Sequence, residues 1–286
     1  MAERQGGGDS SEVGSLHDRA LGAVTGLRVG EVLGAETEGL PRVAAGTALQ
    51  AAFPDFGVTT PGFVALTAAC GVEADSTGAQ RPLAAVAVPA LPAWVSLSVA
   101  TALAVRADPV EGLVKAVGER LVLEDRDRLT FAAAAAVAAA VSAALDKTPW
   151  SQCLSLAISA ADLAESSAGV YRAGASVGAR LAWAHALAAR AEEPAAVVEL
   201  LVGASEIPQE AVPAAFAMVG VQAAAASGTP QPMATLQSAA ALGGRAGLVV
   251  PVAGTMAGAL AGVRAFPAHA RDDIDLTPAL ARRGDG

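Results

Sequence analysis

The chain has 286 residues, enough for one large domain or two small ones, and no linker-like stretch divides it, so we expect a single compact domain. Its composition is 53% hydrophobic but only 3% aromatic, which predicts an all-α fold whose helices pack closely through small side chains. The formal net charge is −9, and the 19 basic residues are scattered. Because nucleic-acid binding needs clustered Lys and Arg, this charge argues against DNA or RNA as a partner.

The N-terminal residues 1–15 carry early charges and a glycine-rich run rather than a secretory signal, so we expect a disordered tail and a cytoplasmic protein. Two uncharged stretches follow, 82–105 and 131–145. Prolines interrupt the first, and the second is short and made mostly of weakly apolar alanine. Both therefore predict buried helices, and no membrane partner is expected.

Four glycines at four-residue spacing mark the first predicted helix: Gly22, Gly26, Gly30 and Gly34. They would lie on one side of the helix, where another backbone can approach closely, although each glycine lowers helix propensity. The segment 18–38 reads DRALGAVTGLRVGEVLGAETE. It resembles the first helix of the ADP-ribosylglycohydrolase family, with the pattern D-R-x-x-G-x-x-x-G-x-x-x-G-D-x-L-G-x-x-x-E.

The resemblance continues through further landmarks in the family's order. Residues 108–113 look like its D-P-E-E-L helix start, 130–145 like its Ala-rich helix and 205–227 like its penultimate helix. The resemblance implies a single globular bundle of about a dozen α-helices. We expect this helical domain to span 16–270, followed by a charged C-terminal tail at 271–286.

The other segments read as helices joined by short turns. Pro149 marks a fresh helix start, a helix follows Gly174 as far as Arg190, and Pro194 opens another. The loop at 230–232 leads into a helix that ends at Leu242. Cys70 and Cys153 lie in apolar surroundings without metal-ligand spacing, so we expect buried thiols in a reducing compartment.

Members of the family hold two magnesium ions through aspartates in a T-D-D-T turn and a later G-G-D-T-D-T turn. The first turn is best placed here at 43–50, where Ala45 and Gly46 stand in the aspartate positions and Thr47 in that of a threonine. An alternative placement at 58–60 also lacks both carboxylates.

The second turn corresponds to the glycine pair Gly243 and Gly244. Arg245 and Gly247 take the places of its two aspartates, and Leu248 that of its second threonine. The resemblance therefore implies the fold, but not the metal ligands. We expect no bound magnesium and no catalytic residue.

The glycine turn precedes a helix of small residues, and the free N–H groups of a helix N-terminus favour an anion. Glu31 and Glu38 stand where the first helix of the family has acidic residues. Arg245 could be an ordinary exposed arginine, could pair with Glu31, or could receive the pyrophosphate of ADP-ribose or another nucleotide. The expected cleft comprises Glu31, Glu38, Thr47, Gly243, Gly244 and Arg245.

These features favour a pseudoenzyme that binds a nucleotide, an ADP-ribosyl group or a protein partner in the former cleft. One alternative is an active glycohydrolase that releases ADP-ribose from a modified side chain. A second alternative is a purely structural helical protein, because a fold does not fix a function.

Overall fold

The computed structural model describes residues 9–40, 59–71, 91–122 and 127–283. These ranges contain twelve α-helices and no β-strand, which confirms the all-α prediction. The helices are α1 (Asp9–Thr37), α2 (Pro61–Cys70), α3 (Ala93–Ala104), α4 (Val110–Arg120), α5 (Arg128–Leu145), α6 (Trp150–Ser167), α7 (Val177–Ala188), α8 (Pro194–Val197), α9 (Pro208–Ala225), α10 (Pro232–Ala240), α11 (Ala246–Ala261) and α12 (Thr277–Ala281). A π-helical turn, Val198–Val202, follows α8, and two short 3₁₀ turns, Val263–Ala265 and Ala268–Ala270, follow α11.

The N-terminal tail is shorter than predicted. We expected disorder through residue 15, whereas α1 begins at Asp9. Residues 1–8 lie outside the described residues.

The packing of α1 against α11 is the most extensive helix contact in the described structure. The two helices run antiparallel, and the four glycines of α1 face the backbone of α11, as predicted. A Cβ atom at Gly22 would overlap the carbonyl oxygen of Gly258, and one at Gly26 would overlap that of Gly254. One at Gly34 would lie only 2.8 Å from the carbonyl oxygen of Ala246. The absence of side chains therefore sets the distance between these two helices.

The alanine-rich helix α5 forms the centre of the core, and nearly all of its residues are buried. By length and composition it could cross a membrane, but 94% of it is buried inside the fold, as in the core helix of a globular domain. Asp127 caps its N-terminus by accepting hydrogen bonds from the N–H groups of Leu129 and Thr130, at 3.1 and 3.3 Å. The uncharged stretch before α4 likewise forms a buried helix, α3.

The C-terminal segment differs from the prediction. We expected 271–286 to be a charged tail, whereas Asp272 packs against α1 with its side chain only 10% exposed. Its carboxylate accepts hydrogen bonds from Arg28 Nε at 2.8 Å and from Thr25 Oγ1 at 2.9 Å. Burial raises the pKa of Asp272, although the charge of Arg28 opposes that shift. Charged residues can enter a core when each finds such a partner.

Arg283 is a second charged residue of the predicted tail that is buried, with a side chain only 2% exposed. Its guanidinium donates to the carbonyl oxygens of Ala102 at 2.6 Å and Ser142 at 2.8 Å, and it pairs with Asp146 at 2.7 Å. The positive charge thus lies at the C-terminal ends of α3 and α5, where the helix dipoles favour a cation. Residues 284–286 lie outside the described residues.

Candidate functional site

Three helix ends meet at one side of the molecule and form the candidate site. Because α1 and α11 are antiparallel, the C-terminal end of α1 lies beside the glycine turn that opens α11. The N-terminus of α2 packs against the same part of α1. Glu31 and Glu38, both on this part of the chain, enter two different environments.

Glu31 is only 2% exposed and caps α2. Its carboxylate accepts hydrogen bonds from the N–H of Gly62 at 2.8 Å, the N–H of Phe63 at 3.2 Å and the hydroxyl of Thr60. Burial raises the pKa of Glu31, against the effect of these donors and of the charge of Arg28. Gly62 leaves room for this contact, because a Cβ there would lie 2.6 Å from Glu31 Oε1.

The glycine turn has the backbone geometry that its sequence predicts. Gly243 and Gly244 have φ values of 68° and 60°, in the left-handed region that favours glycine. Gly244 accepts a hydrogen bond from the N–H of Gly39 at 2.7 Å and donates one to the carbonyl of Leu40 at 3.1 Å. The turn is therefore attached to the chain that follows α1.

Arg245 lies between two carboxylates, neither of which is Glu31. Its Nε is 3.0 Å from Glu38 Oε1, and its Nη2 is 2.6 Å from Glu206 Oε2. Of the three roles left open for Arg245, the pairing with Glu31 is not observed, because Glu31 lies about two helical turns before Glu38 and is held by the N-terminus of α2. The Arg245 side chain is 54% exposed, so these pairs form at the surface.

The anion predicted at the N-terminus of α11 is supplied by the protein itself. Glu38 Oε2 accepts a hydrogen bond from the N–H of Gly247 at 2.6 Å, in the first turn of α11. A carboxylate in this position interacts favourably with the helix dipole. Glu38 therefore joins the end of α1, the N-terminus of α11 and the guanidinium of Arg245.

A pocket of about 110 Å³ opens at this network. Its charged groups are the carboxylates of Glu38 and Glu206 and the guanidinium of Arg245, so negative charge is in excess. The described residues that line it are Glu38, Leu91, Pro92, Glu206, Arg245, Gly247 and Leu248.

The structure brings together only part of the expected cleft. Glu38, Gly243, Gly244 and Arg245 meet, whereas Glu31 has separate partners; Ala45, Gly46 and Thr47 lie outside the described residues. Sequence reasoning missed Glu206, because no pattern relates this residue to Arg245, 39 positions later.

Thr60 was also absent from the expected cleft, although the alternative turn at 58–60 includes it. It is the N-cap of α2, and its hydroxyl accepts a hydrogen bond from the N–H of Phe63. Its contact with Glu31 joins α2 to α1 at the place where the resemblance puts an acidic residue of the first helix.

A magnesium site in this region would need several oxygen ligands in octahedral geometry around one ion. Within the described ranges, no group of three or more His, Cys, Asp and Glu side chains could hold a metal ion. The carboxylate of Glu31 is engaged by α2, and those of Glu38 and Glu206 by Arg245. The described residues therefore do not form a magnesium site.

Comparison with known proteins supports the assignment of the fold. A search of the curated proteins finds no match to this chain. The family model described as ADP-ribosylglycohydrolase matches residues 93–284, about two-thirds of the chain. The matched region includes the glycine turn, Arg245, and the C-terminal segment that packs on α1. The chain therefore belongs to the ADP-ribosylglycohydrolase family.

Proposed function

We propose that this protein is a non-catalytic member of its family, a pseudoenzyme that binds a ligand rather than hydrolysing one. The observation that carries the proposal is the contact of Arg245 with Glu38 and Glu206, in the turn where the family resemblance puts metal-binding aspartates. A guanidinium supplies a permanent positive charge among carboxylates. It does not lower the pKa of a bound water as a metal ion does, so an attacking hydroxide has no source there.

The chemistry of the pocket favours the sugar end of an ADP-ribosyl group or nucleotide. The carboxylates of Glu38 and Glu206 can accept hydrogen bonds from ribose hydroxyls, and the guanidinium of Arg245 can donate to ring or hydroxyl oxygens. A pyrophosphate would meet two carboxylates for one guanidinium, so we no longer assign it to Arg245. The volume of about 110 Å³ suits one ring, because pockets for whole drug-sized ligands are about 300–1,000 Å³.

A protein partner is the second candidate, supported by exposed apolar side chains on segment 200–207, which includes the pocket residue Glu206. Leu200 is 82% exposed, Leu201 is 50% exposed, and Ile207, the neighbour of Glu206, is 46% exposed. Apolar exposure concentrated on one short segment is typical of interaction surfaces. In this case the ADP-ribosyl group would be one attached to the partner.

Hydrolysis is tested with the full chain at high concentration, on peptides ADP-ribosylated at arginine or serine. We expect no release of ADP-ribose above background, with or without Mg²⁺, because the pocket carboxylates Glu38 and Glu206 are engaged by Arg245 and no magnesium ligand set is formed by the described residues. Turnover in either condition would overturn the pseudoenzyme proposal and support an active glycohydrolase.

Binding is tested by calorimetry and by thermal shift with ADP-ribose. We expect saturable stabilisation that is equal in EDTA and in Mg²⁺, and affinity at least tenfold weaker in Arg245→Met. The matched control is Arg264→Met, which removes an arginine that is 87% exposed and far from the pocket. Failure of ADP-ribose to bind at millimolar concentration would contradict the ligand assignment, and a stabilisation that requires Mg²⁺ would contradict the replacement of the metal by Arg245.

A further inference from the structure

A second, larger pocket lies at the opposite end of α11 and is independent of the candidate site. It has a volume of about 220 Å³. It opens where α5 and α9 end and α6 begins. At a rise of about 1.5 Å per residue, the length of α11 places it about 22 Å from Arg245. The residues that line it are Arg19, Ala144, Lys147, Thr148, Pro149, Gly228, Thr229 and Leu260.

Arg19 is a partly buried cation in this pocket; burial lowers its pKa against the opposing charges of Asp18 and Asp146, and neither carboxylate forms a close ion pair with it among the described residues. Its only hydrogen bond within the described residues runs from Nη1 to the carbonyl oxygen of Leu145, at 3.4 Å. The nearby carboxylates have other partners: Asp18 lies 3.6 Å from Arg264, and Asp146 lies 2.7 Å from Arg283. Most N–H donors of the Arg19 guanidinium thus remain available to a ligand.

Lys147 places a second cation at the rim, in an unusual backbone conformation. It has a φ of 63°, in the left-handed region, where the C-terminal turn of a helix usually has glycine. The N–H of the next residue, Thr148, closes this turn on the carbonyl of Ala143 at 3.1 Å. The ammonium group of Lys147 forms no close ion pair within the part of the chain that the structure describes.

Neutral donors at the same pocket add to these charges. Thr148 and Thr229 line it, and their hydroxyls have no hydrogen-bond partner among the described side chains and backbone groups. Helix α6 begins at Trp150 without a side-chain cap; the N–H groups of Gln152 and Cys153 bond to the carbonyl of Pro149, which leaves those of Trp150 and Ser151 without an acceptor among the described residues. No carboxylate lines the pocket.

We propose that this pocket binds a small phosphate-bearing molecule, with Arg19 and Lys147 as its two charged contacts. Two cations and two threonines that line one pocket, with no carboxylate among the lining residues, match the charge and the acceptor oxygens of a phosphate dianion. The volume exceeds that of a bare anion yet stays below that of a typical drug-sized ligand. The site shares no residue with the Arg245 network. This proposal is therefore independent of the function proposed for that network.

The sharpest test replaces Lys147 by glycine, because this change removes the cation and also removes the cost of a left-handed lysine. We expect Lys147→Gly to melt at the same temperature as the wild type or higher, which shows that the fold is intact. Arg19→Met removes the second charge and keeps most of the side-chain volume. The control is Arg190→Met, which removes an exposed arginine that does not line the pocket.

The probes are inorganic phosphate and ribose 5-phosphate, titrated by calorimetry at pH 7.5 against chloride at matched ionic strength. We expect saturable binding to the wild type and to Arg190→Met, at least tenfold weaker binding to Lys147→Gly and Arg19→Met, and none of chloride. Equal binding of phosphate to all four proteins, or a response that does not saturate, would overturn the proposal. Inorganic phosphate has no ribose to occupy the Arg245 pocket, so its titration reports on this site separately, and failure here leaves the proposed function untouched.

Discussion

The closest contact between α1 and α11 can be tested by adding one methyl group. In Gly26→Ala the new Cβ would overlap the carbonyl oxygen of Gly254. Alanine gains about 1 kcal/mol of helix propensity over glycine. Overpacking costs about 1–3 kcal/mol where side chains can adjust. Here the obstructing atom belongs to a helix backbone, so the two helices must separate.

The size of the effect follows from that separation. A gap of about 1 Å forfeits up to half of the dispersion energy of each contact that it affects, and α1 and α11 touch along most of their shared length. We therefore expect a net destabilisation of about 3 kcal/mol, at or above the top of the overpacking range. For a chain of this size, that loss lowers the melting temperature by about 6–12 °C.

The assay is thermal and urea unfolding followed by circular dichroism, with Gly112→Ala as the matched control. Gly112 lies in α4, and a Cβ there would meet nothing within 4 Å. We expect this variant to gain about 0.5–1 kcal/mol, because alanine restricts the unfolded chain and favours the helix. A Gly26→Ala protein as stable as wild type would refute the inference that glycine sets the distance between α1 and α11.

Three further predictions concern buried polar groups. The folded pKa of Glu31 is raised above its ordinary value of 4.5, so the wild type should lose stability relative to Glu31→Gln as pH rises through that folded pKa. Urea titrations of both proteins from pH 4 to 8 measure the difference in unfolding free energy. The opposite trend would mean that the hydrogen bonds of Glu31 outweigh its burial. Arg283→Met should cost about 3 kcal/mol or more, since it leaves buried acceptors unpaired, whereas Arg264→Met should change unfolding free energy by less than about 0.5 kcal/mol. Burial raises the pKa of Cys70 to about 11 and that of Cys153 to about 12, so neither thiol should react with a thiol reagent at pH 8 in the native protein; rapid labelling without denaturant would contradict their burial.

The helical framework could be read from the sequence because its signals are local. The spacing of Gly22, Gly26, Gly30 and Gly34 predicted a close backbone contact, and the structure supplies α11 as the partner. Proline and glycine positions located most helix ends to within a few residues. The confirmed buried state of Cys70 and Cys153 followed from their apolar surroundings in the same way.

The pairing of charges was less accessible, because it depends on residues far apart in the chain. Arg28 and Asp272 are separated by 244 positions. The sequence around either residue does not indicate that the other one neutralises its charge. The C-terminal segment consequently looked like a solvated tail. Arg245 posed the same problem, since the sequence suggested Glu31 as its partner, whereas the packing of α2 on α1 engages Glu31 and Arg245 pairs with Glu38 and Glu206.

The antiparallel packing of α1 and α11 also explains why a charged network forms at this end of the molecule. It places the C-terminal end of one helix, where backbone carbonyls concentrate negative charge, next to the positive N-terminal end of the other. Glu38 neutralises the N-terminus of α11 through Gly247, and Arg245 then balances Glu38 and Glu206. The positive charge needed among these carboxylates thus comes from a side chain of the chain itself. A network complete in this way can hold the helix ends in place without an ion, and this is the physical basis on which we propose binding, rather than metal-dependent hydrolysis, for this member of the family.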